Sequence, residues 1–150
     1  MNTHTRFQLL FIVLITLSTS LMADVTLVDS GSGLDEDNDN AFSFTVNVPA
    51  GTELAVVAVS NRDARNATSV QLGGSAMTFV INSTSSPNSD MDERVQLYYL
   101  LSPAAGSQSV SITLSGDSRH KAAGCLLFTG INATAMPSTI KKANENFYNT

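Results

Sequence analysis

The sequence contains no tryptophan, only three tyrosines and a single cysteine, Cys125. A chain with one cysteine cannot form an intrachain disulfide, so its stability has to come from packing. Cys125 lies in the apolar run Ala122–Thr129, where a thiol usually packs as a small hydrophobic side chain. Sugar-binding platforms generally use exposed aromatic rings, whose flat faces are mostly missing here. The scarcity of aromatic residues therefore argues against a carbohydrate-stacking surface.

Basic residues are also scarce. The chain has eight lysines and arginines and thirteen acidic residues, so its formal net charge is −5. Proteins that bind nucleic acid or anionic membranes usually carry clustered basic residues. The sequence shows no such cluster, so nucleic acid is not an expected partner.

The longest apolar run, Leu9–Leu17, follows Arg6 near the N-terminus and precedes small and polar residues up to Ala23. This arrangement is typical of a signal peptide, so we expect residues 1–23 to be a leader that is cleaved after Ala23, with cleavage after Ser20 as the alternative. An uncleaved anchor is the other interpretation, but the run is short for a membrane span. We therefore expect export, with no stable membrane span after cleavage.

The stretch Arg94–Ser115 carries the clearest structural pattern. Val110, Ile112 and Leu114 alternate with serine and threonine, which is the period of a half-buried strand. The run Arg94–Leu101 is apolar on both faces, which predicts a strand covered on both sides. Because proline and glycine lie between the two runs, the pattern predicts an antiparallel hairpin.

Further short runs with turn residues between them, and no convincing helical stripe, predict an all-β fold, an antiparallel β-sandwich over residues 24–132. Gly73-Gly74 fits a tight hairpin turn, Asp29–Asn40 a loop, and residues 133–150 a weakly structured C-terminal tail. The other predicted strands are Val25–Val28, Ala41–Val48, Leu54–Val59 (buried on both faces), Ser69–Leu72, Met77–Ile81 and Ala122–Thr129.

Four segments together resemble a module of exported bacterial surface and secreted proteins: Leu54–Ser60, Val70–Thr78, Leu97–Gly116 and Phe128–Asn132. The resemblance implies an immunoglobulin-like or jelly-roll-like sandwich with a Gly-Gly hairpin and a Pro-x-x-Gly turn. Ser102 stands where those modules usually have asparagine. Comparable modules also continue beyond the position of Asn132, which implies a shortened module or a gene fragment. Such turn motifs indicate a fold more than a function.

The segment Asp35–Asn40 is the strongest candidate for a metal site. Carboxylates at alternate positions of a loop can converge on a hard cation, so Asp35, Asp37 and Asp39 predict a weak calcium site. The EF-hand pattern fails, because Asn40 takes the place of the required glycine. The long loop that ends near Glu93 could supply further ligands from Asp90, Asp92 or Glu93 itself. A solvated acidic turn is the alternative.

The segment Asp117–His120 places an acid, a hydroxyl and an imidazole within one predicted turn. Nucleophilic catalysis needs a base that holds the serine and an acid that orients the base, usually from separate elements. The sequence also lacks a Gly-x-Ser-x-Gly elbow. We therefore assign no catalytic residue and expect that the protein is not an enzyme.

Together these features predict an exported, non-enzymatic β-sandwich module that acts in adhesion or interaction, outside the cell or at its surface. The expected partner is an extracellular protein or a glycan surface. One alternative is a carbohydrate-binding accessory module or a fragment of a secreted hydrolase, and a cleft beside His120 would favour it. The other alternative is a periplasmic structural protein.

Overall fold

A computed structural model describes residues 24–84 and 93–131. Within these residues the chain forms nine strands and no helix, so the predicted all-β class is confirmed. The predicted signal peptide 1–23, the predicted tail 133–150 and Asn132 lie outside the described residues. The strands are β1 (Thr26–Asp35), β2 (Asp39–Val48), β3 (Leu54–Asn61), β4 (Ala67–Leu72), β5 (Ser75–Ala76), β6 (Thr78–Thr84), β7 (Arg94–Leu101), β8 (Gly106–Ser118) and β9 (Lys121–Thr129).

The strands form two antiparallel sheets that pack face to face. The five-stranded sheet has the order β1-β9-β3-β7-β6, and the four-stranded sheet has the order β2-β8-β4-β5. This arrangement is that of a β-sandwich, in which the inner faces of both sheets share one apolar core.

The core is built by alternate residues of the strands from both sheets. On β8, Val110, Ile112 and Leu114 are almost completely buried, as their alternation predicts. Across the core, Val57 and Val59 of β3 are fully buried. Burial of each such side chain contributes about 1.5–3 kcal/mol to folding.

The predicted hairpin between β7 and β8 is wrong, because the two strands belong to different sheets. β7 pairs with β3 and β6, whereas β8 pairs with β2 and β4. The turn at Ser102–Gly106 therefore carries the chain across the core, from one sheet to the other. A hairpin and such an arch have the same alternation and the same turn residues, so the sequence pattern does not separate them.

The first strand is longer than predicted, since β1 includes seven of the twelve residues of the expected loop Asp29–Asn40. Gly31 and Gly33 pair with the inward-facing Cys125 and Ala123 of β9. A Cβ atom added at Gly33 would lie within 2.7–2.9 Å of Phe44 on β2. These glycines therefore let β1 approach β2 closely. Glycine often has this role in strands, but the composition of the segment does not reveal it.

The Gly73-Gly74 turn is confirmed, because both glycines have positive φ and Leu72 pairs with Ser75 across the turn. The returning strand is only two residues long. After Met77, β6 joins the other sheet and pairs with β7. The segment from β4 to β6 thus links the two sheets at one edge of the sandwich.

Candidate functional site

Most of the candidate residues lie at one end of the sandwich, where three connections meet. These are the acidic turn between β1 and β2, the Asn61–Ala67 turn, and the short turn between β8 and β9. Asn61 fixes the second turn, since its side chain accepts a hydrogen bond from the Arg65 N–H at 2.7 Å and donates to the Arg65 carbonyl at 2.9 Å.

The centre of this end is Lys121, whose side chain is completely buried. Its ammonium group donates to the carbonyl oxygens of Asp37 at 2.6 Å, Ser118 at 2.8 Å and Asp39 at 3.3 Å. It also donates to Asp39 Oδ1 at 2.7 Å and lies 3.7 Å from Asp35 Oδ1. A buried ammonium group needs such an oxygen shell, because it has lost its water.

The acidic turn therefore already encloses a positive charge supplied by the protein. Asp35 and Asp39 contribute side-chain oxygens to the ammonium group, whereas Asp37 contributes its backbone carbonyl. In residues 24–84 and 93–131, no group of three or more potential ligands is arranged to hold a metal ion. Calcium binding at these three aspartates stays a prediction, and any calcium ion would share oxygens with Lys121. Asp90 and Asp92 lie outside the described residues.

Lys121 controls the acidity of its neighbour. The hydrogen bond from Lys121 is the main reason why the pKa of Asp39 lies below its usual value, and the backbone N–H of Ala41 adds to this effect. Asp39 itself is exposed, so solvent screens the interaction and the ion pair alone stabilises the fold only weakly.

Sequence reasoning did not identify Lys121 as a functional or structural centre. The strand pattern does contain one indication. Lys121 alternates in register with the buried residues Ala123, Cys125 and Leu127 of β9, so its side chain lies on the same inward face. A lysine at an inward position of a strand requires a set of acceptors, and the acidic turn is the nearest acidic segment in the fold.

The Asp117–His120 segment does not bring together a catalytic triad. The Ser118 hydroxyl is buried and, in the part of the chain that the structure describes, has no partner in hydrogen-bonding geometry. It still lies close enough to Asp63 to be the main cause of that carboxylate's lowered pKa, and the Arg119 N–H also contributes to Asp63. His120 is exposed.

A shallow cleft of about 420 Å³ lies beside this end. Its lining includes His120, Arg62, Glu93 and Asn61. This is the cleft that would favour an enzyme-linked function. Its walls provide an imidazole, a guanidinium and a carboxylate, which can bind a small polar ligand through charge-assisted hydrogen bonds.

The outer face of the four-stranded sheet is mostly polar. Ser109 and Ser111 lie at its centre on β8, with their hydroxyl oxygens 3.3 Å apart. Every hydroxyl group can both donate and accept a hydrogen bond. From Ser107 to Thr113 of β8, and where β2 and β4 pair with this segment, the outward positions are uncharged and, apart from Ala41, polar; further along β8 the outward Asp117 is charged. The polar members are Ser43, Thr45, Asn47, Ser69, Gln71, Ser107, Ser109, Ser111 and Thr113. We call this set the polar face.

The fold of the described residues is that of an antiparallel β-sandwich. No protein-family model matches the sequence, and no curated protein matches it either. The described residues contain no helix of the length and apolar character that a membrane crossing requires.

Proposed function

We propose that the protein is an exported, non-enzymatic module of the immunoglobulin-like or jelly-roll-like kind, which acts in adhesion at the cell surface or in the extracellular space. Its partner is an extracellular protein or a glycan, bound through the polar face. The leader-like residues 1–23 and the resemblance to exported bacterial modules support export.

The observation that carries this proposal is the hydroxyl-rich polar face, whose members carry no charge. Same-face residues are about 4.8 Å apart across neighbouring strands and roughly 6.6 Å apart along one strand. This grid of donors and acceptors suits a ligand with many regularly spaced polar groups. It contains no aromatic ring for stacking, which favours binding through hydrogen bonds over an extended area.

Arrays of oligosaccharides and of extracellular matrix proteins test the proposal with the purified full chain. We expect binding that the Ser111→Arg variant loses, because the long charged side chain lifts a ligand away from the centre of the polar face. Ser75→Arg is the matched control, since Ser75 is exposed on the edge strand β5 of the same sheet. Equal binding by both variants would contradict the use of this face.

The cleft beside His120 supports a second candidate, a fragment of a secreted hydrolase. Its specific support is the grouping of His120, Arg62 and Glu93 along one cleft. Hydrolysis of chromogenic esters and glycosides by the wild type, and its loss in His120→Ala, would favour this candidate. Hydrolysis that is absent from the wild type would leave the adhesion proposal as the better account.

A further inference from the structure

The outer face of the five-stranded sheet is apolar, unlike that of the four-stranded sheet. Leu126 of β9 is 43% exposed, Val95 of β7 is 43% exposed and Leu27 of β1 is 52% exposed. The outward positions of the described strands carry no charged residue: Leu27, Ser30, Ser32, Leu34, Val56, Ala58, Ser60, Thr78, Ile81, Val95, Leu97, Tyr99, Leu101, Ala122, Gly124, Leu126 and Phe128. We call this set the apolar face.

Gly124 lies near the middle of the apolar face, where the fold itself does not require a glycine. Its φ is not in the left-handed region, and an added Cβ atom would meet no other atom of the described chain within 4 Å. A glycine inside a strand destabilises the strand by about 0.5–1 kcal/mol relative to alanine. Such a glycine often marks a place where another backbone or a ligand approaches closely.

The residues around Gly124 form a depression beside a ridge. Gly124 pairs with Ala58 of β3, and the next outward positions on the two strands, Leu126 and Val56, also pair with each other. The small pair and the large pair therefore lie side by side at the centre of the face. A two-fold axis would place the ridge of one copy in the depression of another.

We infer that the apolar face is the interface of a homodimer, in which a second copy of the chain packs its own apolar face against this one. The charge distribution is compatible with this occupant. Each chain carries a formal charge of −5, so two copies repel each other at long range, where salt screens the repulsion, but contact through this face brings no like charges of the described strands together. A two-fold interface uses the same patch on both copies.

The size of the face fits a dimer. Five strands at about 4.8 Å spacing and eight residues at about 3.3 Å give a flat outline of roughly 600 Å². This outline approaches the roughly 800 Å² per partner of a standard interface. It lies at the upper end of the range of patches found on monomeric proteins. Two such sheets would stack about 10 Å apart, as sheets do inside a sandwich.

Sedimentation velocity of the full chain at micromolar concentration tests this interface. We expect the wild type to sediment with the mass of two chains and the Leu126→Lys variant with the mass of one, with unchanged far-ultraviolet circular dichroism. Ser111→Lys is the matched control on the polar face and should remain a dimer. The dissociation constant of the Leu126 variant should rise by about tenfold or more, as expected for a central anchor of an interface.

A second variant keeps the test decisive if Leu126→Lys does not fold. Gly124→Val adds atoms only to open space within the described chain and uses a residue that favours strands. We expect it to fold normally and to weaken the dimer. The inference is overturned if the wild type is monomeric at these concentrations, or if a folded Gly124→Val variant dimerises as strongly as the wild type.

Discussion

At the scale of single residues, Lys121 links the acidic turn to the core. Its aliphatic stem is enclosed with the apolar residues of β9, and its ammonium group meets the carbonyl oxygens of Asp37, Asp39 and Ser118. The result is a turn that is held to the end of the sandwich by one side chain. The sequence identified the acidic residues of this cluster but not their cation, because the cation lies more than 80 positions away along the chain.

The Lys121→Met variant tests this role. Methionine fills a similar volume but donates no hydrogen bond, so three carbonyl groups and two carboxylates lose their common partner. We expect the free energy of unfolding, measured by urea denaturation, to fall by about 1–3 kcal/mol. Asp39→Asn, which keeps an acceptor oxygen, should lower the urea midpoint much less. Equal losses in the two variants would show that the ion pair, and not the carbonyl shell, holds the turn.

The lowered pKa of Asp39 predicts a specific response to acid. The folded protein holds this carboxylate's proton less tightly than the unfolded chain does, whose pKa is near 3.8. The resulting stability is complete above that value and is lost as the pH falls through the lower pKa of the folded state. We expect the urea midpoint of the wild type to fall more steeply below pH 3.8 than that of Asp39→Asn. Parallel curves would contradict this, with Glu36→Gln in the same turn as the control.

Calcium provides the next prediction at this scale. If the turn binds calcium weakly, millimolar calcium should raise the melting temperature relative to chelator, because a ligand that binds only the folded state stabilises it. Asp37→Asn should remove most of this response, and magnesium should produce less of it, since it needs a tighter octahedral shell. In the wild type, calcium must compete with the Lys121 ammonium group for the same oxygen atoms. Identical melting in calcium and chelator would leave Lys121 as the turn's cation.

At the scale of elements, alternation predicted the strands and their inner faces, whereas strand pairing required the structure. Ile112 and Val110 point into the core as their period indicates. The same period is compatible with a hairpin or an arch, so the pairing of β8 with β2 and β4 could not be read from it. The glycines of β1 led to the prediction of a loop, because glycine is also common in flexible segments. In the structure, Gly33 instead leaves space for β1 to pack closely against Phe44.

The turn between β4 and β5 offers a test of backbone conformation without side-chain contacts. Gly74 has a φ of +80°, and an added Cβ would have no neighbour within 4 Å among the described residues. Gly74→Ala should therefore lower the free energy of unfolding by about 1 kcal/mol through backbone strain alone. Gly74→Asn should cost less, because asparagine tolerates positive φ better than alanine. Thermal denaturation compares the two variants, and an alanine variant as stable as the wild type would contradict this turn geometry.

At the scale of the whole molecule, the two outer faces differ in chemistry. On β8, apolar residues alternate with serine and threonine, which predicted a polar outer surface. The runs of β3 and β7 are apolar on both faces, which predicted strands that are buried on both sides. The structure places Val56 and Leu97 of these strands on a half-buried outer face. The local sequence pattern predicts that this face is covered but does not show by what.

Different roles for the two outer faces are tested most directly by thiol labelling of two single-cysteine additions, Ser111→Cys and Leu126→Cys. The native thiol does not interfere, since Cys125 is buried and burial raises its pKa to about 11. We expect Ser111→Cys to react at the rate of an exposed thiol at every protein concentration. Leu126→Cys should react slowly in concentrated protein and faster on dilution, as the dimer dissociates. If Leu126→Cys instead reacts as fast as Ser111→Cys at all concentrations, the apolar face is not covered by a second copy.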